Sequence, residues 1–144
     1  MNQSTTAEQG ALVLRVALGI MFIAHSVILK LMVFSLPGTA QYFESIGLPG
    51  ALAYLVFAAE TAGGVALVLG VWTRWVALAL IPVIVGATWV HLGNGWVFSN
   101  PGGGWEYPVF LGVSLVVQAL IGDGAYALRR SPAIGRVFGQ PAPA

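Results

Sequence analysis

The sequence predicts an all-α integral membrane protein, a four-helix bundle with its N- and C-termini cytoplasmic. Three observations carry that prediction. Of 144 residues, 58% are hydrophobic and 8% charged, with a mean hydropathy of +0.85, whereas soluble domains carry about 25% charged residues. Four apolar runs, at about 12–34, 51–72, 75–92 and 105–121, approach the roughly 20 residues that a helix needs to cross a bilayer. Arg74 follows the second run, and Arg129, Arg130 and Arg136 follow the fourth. The positive-inside rule makes that side cytoplasmic. The chain reads as one membrane domain over 1–144, with 123–144 as a polar tail.

The first run, LVLRVALGIMFIAHSVILKLMVF, carries Arg15, His25 and Lys30. The preceding MNQSTTAEQG lacks the basic n-region of a signal peptide, so the run reads as a retained span. Residues 35–50, SLPGTAQYFESIGLPG, hold two LPG turns and predict a loop or a short surface helix. The second run, ALAYLVFAAETAGGVALVLGVW, has one charge near its middle, Glu60. Ala59 and Gly63 form a small-xxx-small pair there, which lets another helix come close. The short connection 73–75 makes the second and third runs antiparallel neighbours. Pro82 in WVALALIPVIVGATWVHL takes the hydrogen-bond partner from the Leu78 carbonyl. The Gly-rich GNGWVFSNPGGG follows. The fourth run, WEYPVFLGVSLVVQALI, has Pro108 in its first turn, where proline is tolerated. The tail is expected to fray. Trp72 and Trp75 fall at the inner boundary, and Trp89, Trp96 and Trp105 at the outer one, as aromatic belts do. The hexapeptides VFSLPG (33–38) and VFSNPG (97–102) each follow a histidine near the outer end of an odd-numbered run; a duplicated hairpin and coincidence both account for them.

The ionisable residues are few. At about 1.5 Å of rise per residue, His25, Lys30, Glu60, His91 and Glu106 all fall in the outer half, with Arg15 and Gln118 nearer the inner side. A charge within a span costs about 2.5–3.5 kcal/mol on insertion scales and is usually paired or facing a cavity. A balanced set on different helices therefore predicts convergence on the bundle interior. Simpler readings stand beside it. Lys30 and Arg15 can snorkel to the two interfaces, Glu106 can sit at a helix N-terminus, His91 can cap a span, and Glu60 can form a structural ion pair. In α-helical geometry His25 and Lys30 stand about 140° apart and need not share a face.

Several classes are excluded or weakened. A net charge of +1 without a basic run gives no basis for nucleic-acid binding, and the absence of cysteine removes disulfides, thiolate metal sites and dithiol redox chemistry. Ser26 next to His25 is not a nucleophile pair, because helix neighbours point about 100° apart. NPGGG lacks the Lys-Ser/Thr of a phosphate-binding loop. Two His and two Glu suffice for a divalent ion, but they lie on four helices with no short ligand spacing, and no metal site is assigned.

Three pieces, LRVALGIMFIAHSVILKL, GLPGALAYLVFAAETAGGVALVLGVWTRW and HLGNGWVFSNPGGGWEYPVFLG, together with the GDGAY turn, resemble the DoxX family of small four-span membrane proteins. The resemblance covers about residues 12–126. It rests on the order Arg, His, Lys, then Glu with a Gly pair, then His and Glu-Tyr. Where such sequences often end on Ser-Leu-Asp, this one has Ala127, Leu128 and Arg129. The family takes its name from a thiosulfate:quinone oxidoreductase, so the resemblance implies a membrane subunit of a quinone-linked redox system, in the inner or plasma membrane, with no covalently bound cofactor. A quinone needs donors or a proton relay at its carbonyls; on that reading Glu60, His25 and His91 form the relay and Lys30, Glu106 and Tyr107 contact the quinone. Electrons would have to come from a redox partner protein or a bound cofactor. A homo-oligomer, a non-enzymatic scaffold or assembly subunit and a small-solute transporter remain open as alternatives, the last requiring an oligomer or a very small solute because four spans leave little lumen.

Overall fold

A computed structural model describes residues 5–132. Arg136 and the rest of the tail beyond 132 lie outside the described residues. The described residues form five helices, with no β-strand among them. Helix α1 (Thr6–Val33) begins ahead of the apolar run because Thr5 and Glu8 build a capping box. Thr5 Oγ1 accepts the Glu8 N–H at 3.3 Å and Glu8 Oε2 accepts the Thr5 N–H at 3.0 Å. The T-x-x-E spacing was the signal for that start. From Ala24 to Val33 the helix is π-helical, closing on a Phe34 N–H donated to Leu29 O at 2.9 Å. Most π segments are single turns, often at functional sites; this one is ten residues long.

Residues 35–50 contain a real helix, α2 (Leu36–Ser45). Ser35 starts it at φ 62, ψ 154, and its Oγ accepts the Gly38 N–H at 3.2 Å. That backbone conformation is strained for a non-glycine residue. Helix α3 (Ala51–Leu69) ends in a Schellman motif: the Val71 N–H reaches Ala66 O at 2.9 Å and the Gly70 N–H reaches Leu67 O at 3.2 Å. Helix α4 (Thr73–His91) follows after a tight turn, contains Pro82 and passes into a 3₁₀ turn, Leu92–Asn94. Helix α5 (Glu106–Ile121) closes the bundle.

Helix α1 packs chiefly on α3, and α4 on α5. The α1–α3 crossing is at Gly19 and Gly64. A Cβ on Gly19 would stand 2.6 Å from Gly64 O, and one on Gly64 would stand 2.9 Å from Gly19 O, so only glycine permits this approach. Gly63, from the expected Ala59–Gly63 pair, faces Leu80 of α4 instead. The core runs through the bundle as Leu18, Phe22, Leu67, Leu80, Leu111 and Leu115. Large apolar side chains such as Val13, Leu55, Val85, Phe110 and Leu120 point outward. A membrane solvates such a surface, and helices satisfy their own backbone within it. Helices α1, α3 and α4 with its 3₁₀ extension are long and apolar enough to cross a bilayer. Helix α5 is apolar but has 16 residues, a length of about 24 Å. This is an all-α helical membrane bundle.

The tail differs from the expectation over residues 123–131. The Leu128 N–H donates to Leu69 O, Arg129 N–H to Gly70 O, Trp72 N–H to Arg129 O, and Ala125 N–H to Glu8 O. The segment is stitched under α1 and α3. The GDGAY turn fits there because a Cβ on Gly124 would meet the Leu12 nitrogen at 2.6 Å, and Gly124 has φ +71. The two similar hexapeptides take different shapes. One runs from the end of α1 into α2, and the other lies in the turns before α5.

Candidate functional site

Charged and polar residues gather at two ends of the bundle, with different tasks. At the end where α3 turns into α4, Arg15, Arg74 and Asp123 serve the backbone. Arg15, 1% exposed, does not snorkel. Its Nη1 donates to Leu67 O at 3.0 Å and Val68 O at 2.7 Å, and its Nη2 to Ala125 O at 2.9 Å. A cation thus sits on the carbonyls that end α3, where the helix dipole favours it. Arg74 does the same for α5 through Ala119 O and Leu120 O. Asp123 accepts the Thr73 N–H at the start of α4, and the Ser131 N–H and Oγ–H. Gln118 donates to Gly122 O at 2.7 Å rather than meeting Arg15. This end is structural.

At the opposite end four predicted site residues come together. Lys30 Nζ lies 2.7 Å from Glu60 Oε2, with side chains 17% and 8% exposed. The π-helix makes this possible. At about 4.4 residues per turn, five residues sweep only roughly 50° beyond one turn, against 140° in an α-helix. His25 and Lys30 therefore share a face, and Lys30 Nζ also lies 3.4 Å from His25 O. Thr39 of α2 donates its Oγ1 proton to Ser35 O at 2.9 Å, with Lys30 O at 3.3 Å from the same oxygen. His25 Nδ1 is 2.8 Å from Met21 O, and His91 Nδ1 is 2.6 Å from Ala87 O. Each carbonyl can only accept, so each Nδ1 carries a proton and leaves Nε2 to act.

His25, Lys30, Glu60 and His91 line one cavity of about 1040 Å³ between α1, α2, α3 and α4. The remaining lining is predominantly apolar and includes Phe34, Phe43, Leu52, Val56, Val83 and Trp89. Tyr107 and Glu106 do not line it. The Tyr107 ring stacks on His25 at 5.8 Å between centroids with 18° between planes, and its buried hydroxyl has no hydrogen-bond partner. Glu106 instead fastens the loop before α5: its Oε1 accepts the Phe98 N–H at 2.8 Å, while Trp96 and Trp105 meet edge to face at 4.4 Å. Among the described residues no cluster of three metal-ligating side chains forms. Hydropathy gave no hint of the contribution from α2. The α4 wall had a signal in the spacing of Pro82, Gly86 and Val90, which puts them on one helix face.

The fold and cavity define a multi-pass helical membrane protein with a polar cluster set in an apolar internal site. The DoxX family model matches residues 10–93, and the chain belongs to that family. The matched span carries His25, Lys30, Glu60 and His91 and excludes α5. The chain is also 42% identical over 88 residues to Putative oxidoreductase CatD of Bacillus subtilis (strain 168), a match covering 60% of this chain and 61% of that protein. The similarity thus extends over about three-fifths of that relative's length. No solved structure matches the chain.

Proposed function

We propose that this protein is the membrane subunit of a quinone-linked redox system in the inner or plasma membrane, with both termini cytoplasmic and the cavity in the outer half. The observation that carries the proposal is the cavity itself: an apolar space of about 1040 Å³ with Lys30, Glu60, His25 and His91 on its wall. An apolar pocket with a few convergent polar groups is the usual form of a small-molecule site. The name of the Bacillus subtilis relative supports oxidoreductase chemistry.

A quinone, when bound, supplies a two-electron, two-proton acceptor. The residues fit such a ligand. Lys30 offers an ammonium donor to a carbonyl oxygen, and Glu60 holds that ammonium in place. The two imidazoles, each with Nδ1 tied to a backbone carbonyl, keep Nε2 as an acceptor. Glu60, His25 and His91 are the groups assigned to proton transfer, all three on the cavity wall. The apolar walls exclude water. Without cysteine the chain has no thiol couple, and in this reading a redox partner protein or a bound cofactor delivers the electrons.

The test is a titration of the purified protein in lipid nanodiscs with a one-isoprenoid ubiquinone, followed by tryptophan fluorescence. Saturable binding is expected, and it should weaken in Lys30→Met and His91→Phe. A folded protein that binds no quinone at saturating levels would favour a scaffold role.

A further inference from the structure

The cavity has an edge that its polar cluster does not explain. Leu29 of α1, Phe34 at its end and Tyr42 of α2 are exposed along the cavity's wall, and on the side of α3 and α4 so are Leu55, Pro82, Gly86 and Trp89. Helix α5 supplies none of the lining. The short turn after α3 holds α3 and α4 together at the Arg15 end of the bundle. Toward the other end the cavity lies between them. Its rim there carries no charged group, because Lys30 and Glu60 are drawn inward onto each other.

Gly86 is the unusual residue on that rim. It lies inside α4, where glycine weakens a helix relative to almost any other residue. Gly19 and Gly64 are each required by backbone that an added Cβ would strike, and Gly63 stands against the Leu80 side chain. At Gly86 an added Cβ meets nothing within 4 Å. No protein contact demands a glycine, and the space a side chain would fill belongs to the cavity.

We infer that the cavity opens sideways into the bilayer between α3 and α4, and that Gly86 keeps this passage wide enough for a ring carrying an isoprenoid tail. The inference rests on the quinone reading above and names the ligand class: tailed quinones taken from the membrane. Leu55, Pro82, Val83 and Trp89 offer an isoprenoid chain an apolar path. A polar solute would have to shed its water to follow it. Gly86 acts on ligand size and touches no reacting atom, so it sets specificity.

The experiment compares the wild type, Gly86→Leu, Gly86→Trp and Gly10→Leu in nanodiscs. The probe is an eight-isoprenoid ubiquinone, and thermal unfolding reports the fold. An added Cβ at Gly10 also meets nothing within 4 Å, and Gly10 does not line the cavity, so Gly10→Leu controls for a larger residue on a membrane helix. Gly86→Trp should weaken binding about tenfold or more, with Gly86→Leu between it and the wild type. Gly10→Leu should bind as the wild type does. Wild-type affinity in folded Gly86→Leu and Gly86→Trp overturns the passage and leaves the quinone reading standing. A wild type that binds neither the short nor the long ubiquinone overturns the quinone reading, and the passage with it. Should Gly86→Trp fail to fold, Gly86→Leu carries the comparison alone.

Discussion

Lys30 Nζ stands 2.7 Å from Glu60 Oε2, joining α1 to α3 beyond the glycine crossing. Two features of the chain create this contact. Gly19 and Gly64 bring the helix backbones together, and Glu60 lies one turn from Gly64 on the same face of α3. Helix side chains lean toward their own N-terminus, so Lys30 reaches back along α1 toward Glu60. The pair removes two charges from the apolar interior by setting them against each other. Such a pair is weak evidence for net stability, because desolvation offsets the attraction, but breaking it by removing one partner is costly.

Single replacements at this pair should therefore cost more than the double replacement. Glu60→Leu and Lys30→Leu should each lower stability by about 2–4 kcal/mol, while the double variant should recover most of that loss. Thermal unfolding in detergent micelles measures the cycle. Additive losses in the double variant would show that the two groups are not coupled. Glu60→Gln, which keeps the shape and can still accept from Lys30, should cost less than Glu60→Leu and should lower quinone-linked activity if Glu60 carries protons.

Arg15 should be the anchor of the tail. Its guanidinium holds the carbonyls of Leu67 and Val68 on α3 and that of Ala125 after α5. A lysine ammonium is a single point and cannot span both segments as a planar fork does. Arg15→Lys should cost about 2 kcal/mol, since it leaves buried carbonyls unpaired. Hydrogen exchange should quicken at the amides of Ala125, Leu128 and Arg129. Unchanged exchange at those three amides would mean that the backbone contacts alone hold the tail.

Much of the architecture is legible in the sequence because hydropathy acts over whole helices. The run at 51–72 encloses α3, while the first LPG, read as a turn, opens α2 and the second follows it. Local chemistry also speaks where it is short-ranged, as in the Thr5–Glu8 capping box. What hydropathy leaves out is rotation. The residues AHSVILKLMV contain no proline or glycine to mark the π-helix, so α-helical counting separates His25 from Lys30. The small patch after Glu60 reads as a helix contact, yet which glycine meets which helix depends on the three-dimensional packing: Gly64 takes α1 and Gly63 takes α4. Arg15 reads as an interfacial cation because its partners are backbone carbonyls, which no residue pattern displays. Of the six residues expected at the site, Glu106 and Tyr107 stand outside the cavity for the same reason: being near in depth does not place two side chains on one wall.

Tyr107 nonetheless bears on the site through His25. Its ring lies nearly parallel to the imidazole, with 5.8 Å between centroids, and its hydroxyl is buried without a hydrogen-bond partner. The ring and the hydroxyl should therefore separate on mutation. Tyr107→Phe removes only the unpartnered group and should be neutral or stabilising by up to about 1 kcal/mol. Tyr107→Leu keeps an apolar side chain but loses the ring contact, and should cost about 1 kcal/mol. Stability alone would not distinguish a core tyrosine from one that positions His25, so ubiquinone affinity is the second measurement. Tyr107→Phe should retain wild-type affinity, and Tyr107→Leu should weaken it, because the His25 ring on the cavity wall loses the ring stacked on it. Equal affinity in the folded Phe and Leu variants would reduce Tyr107 to packing and leave the Met21 carbonyl as the only group orienting His25.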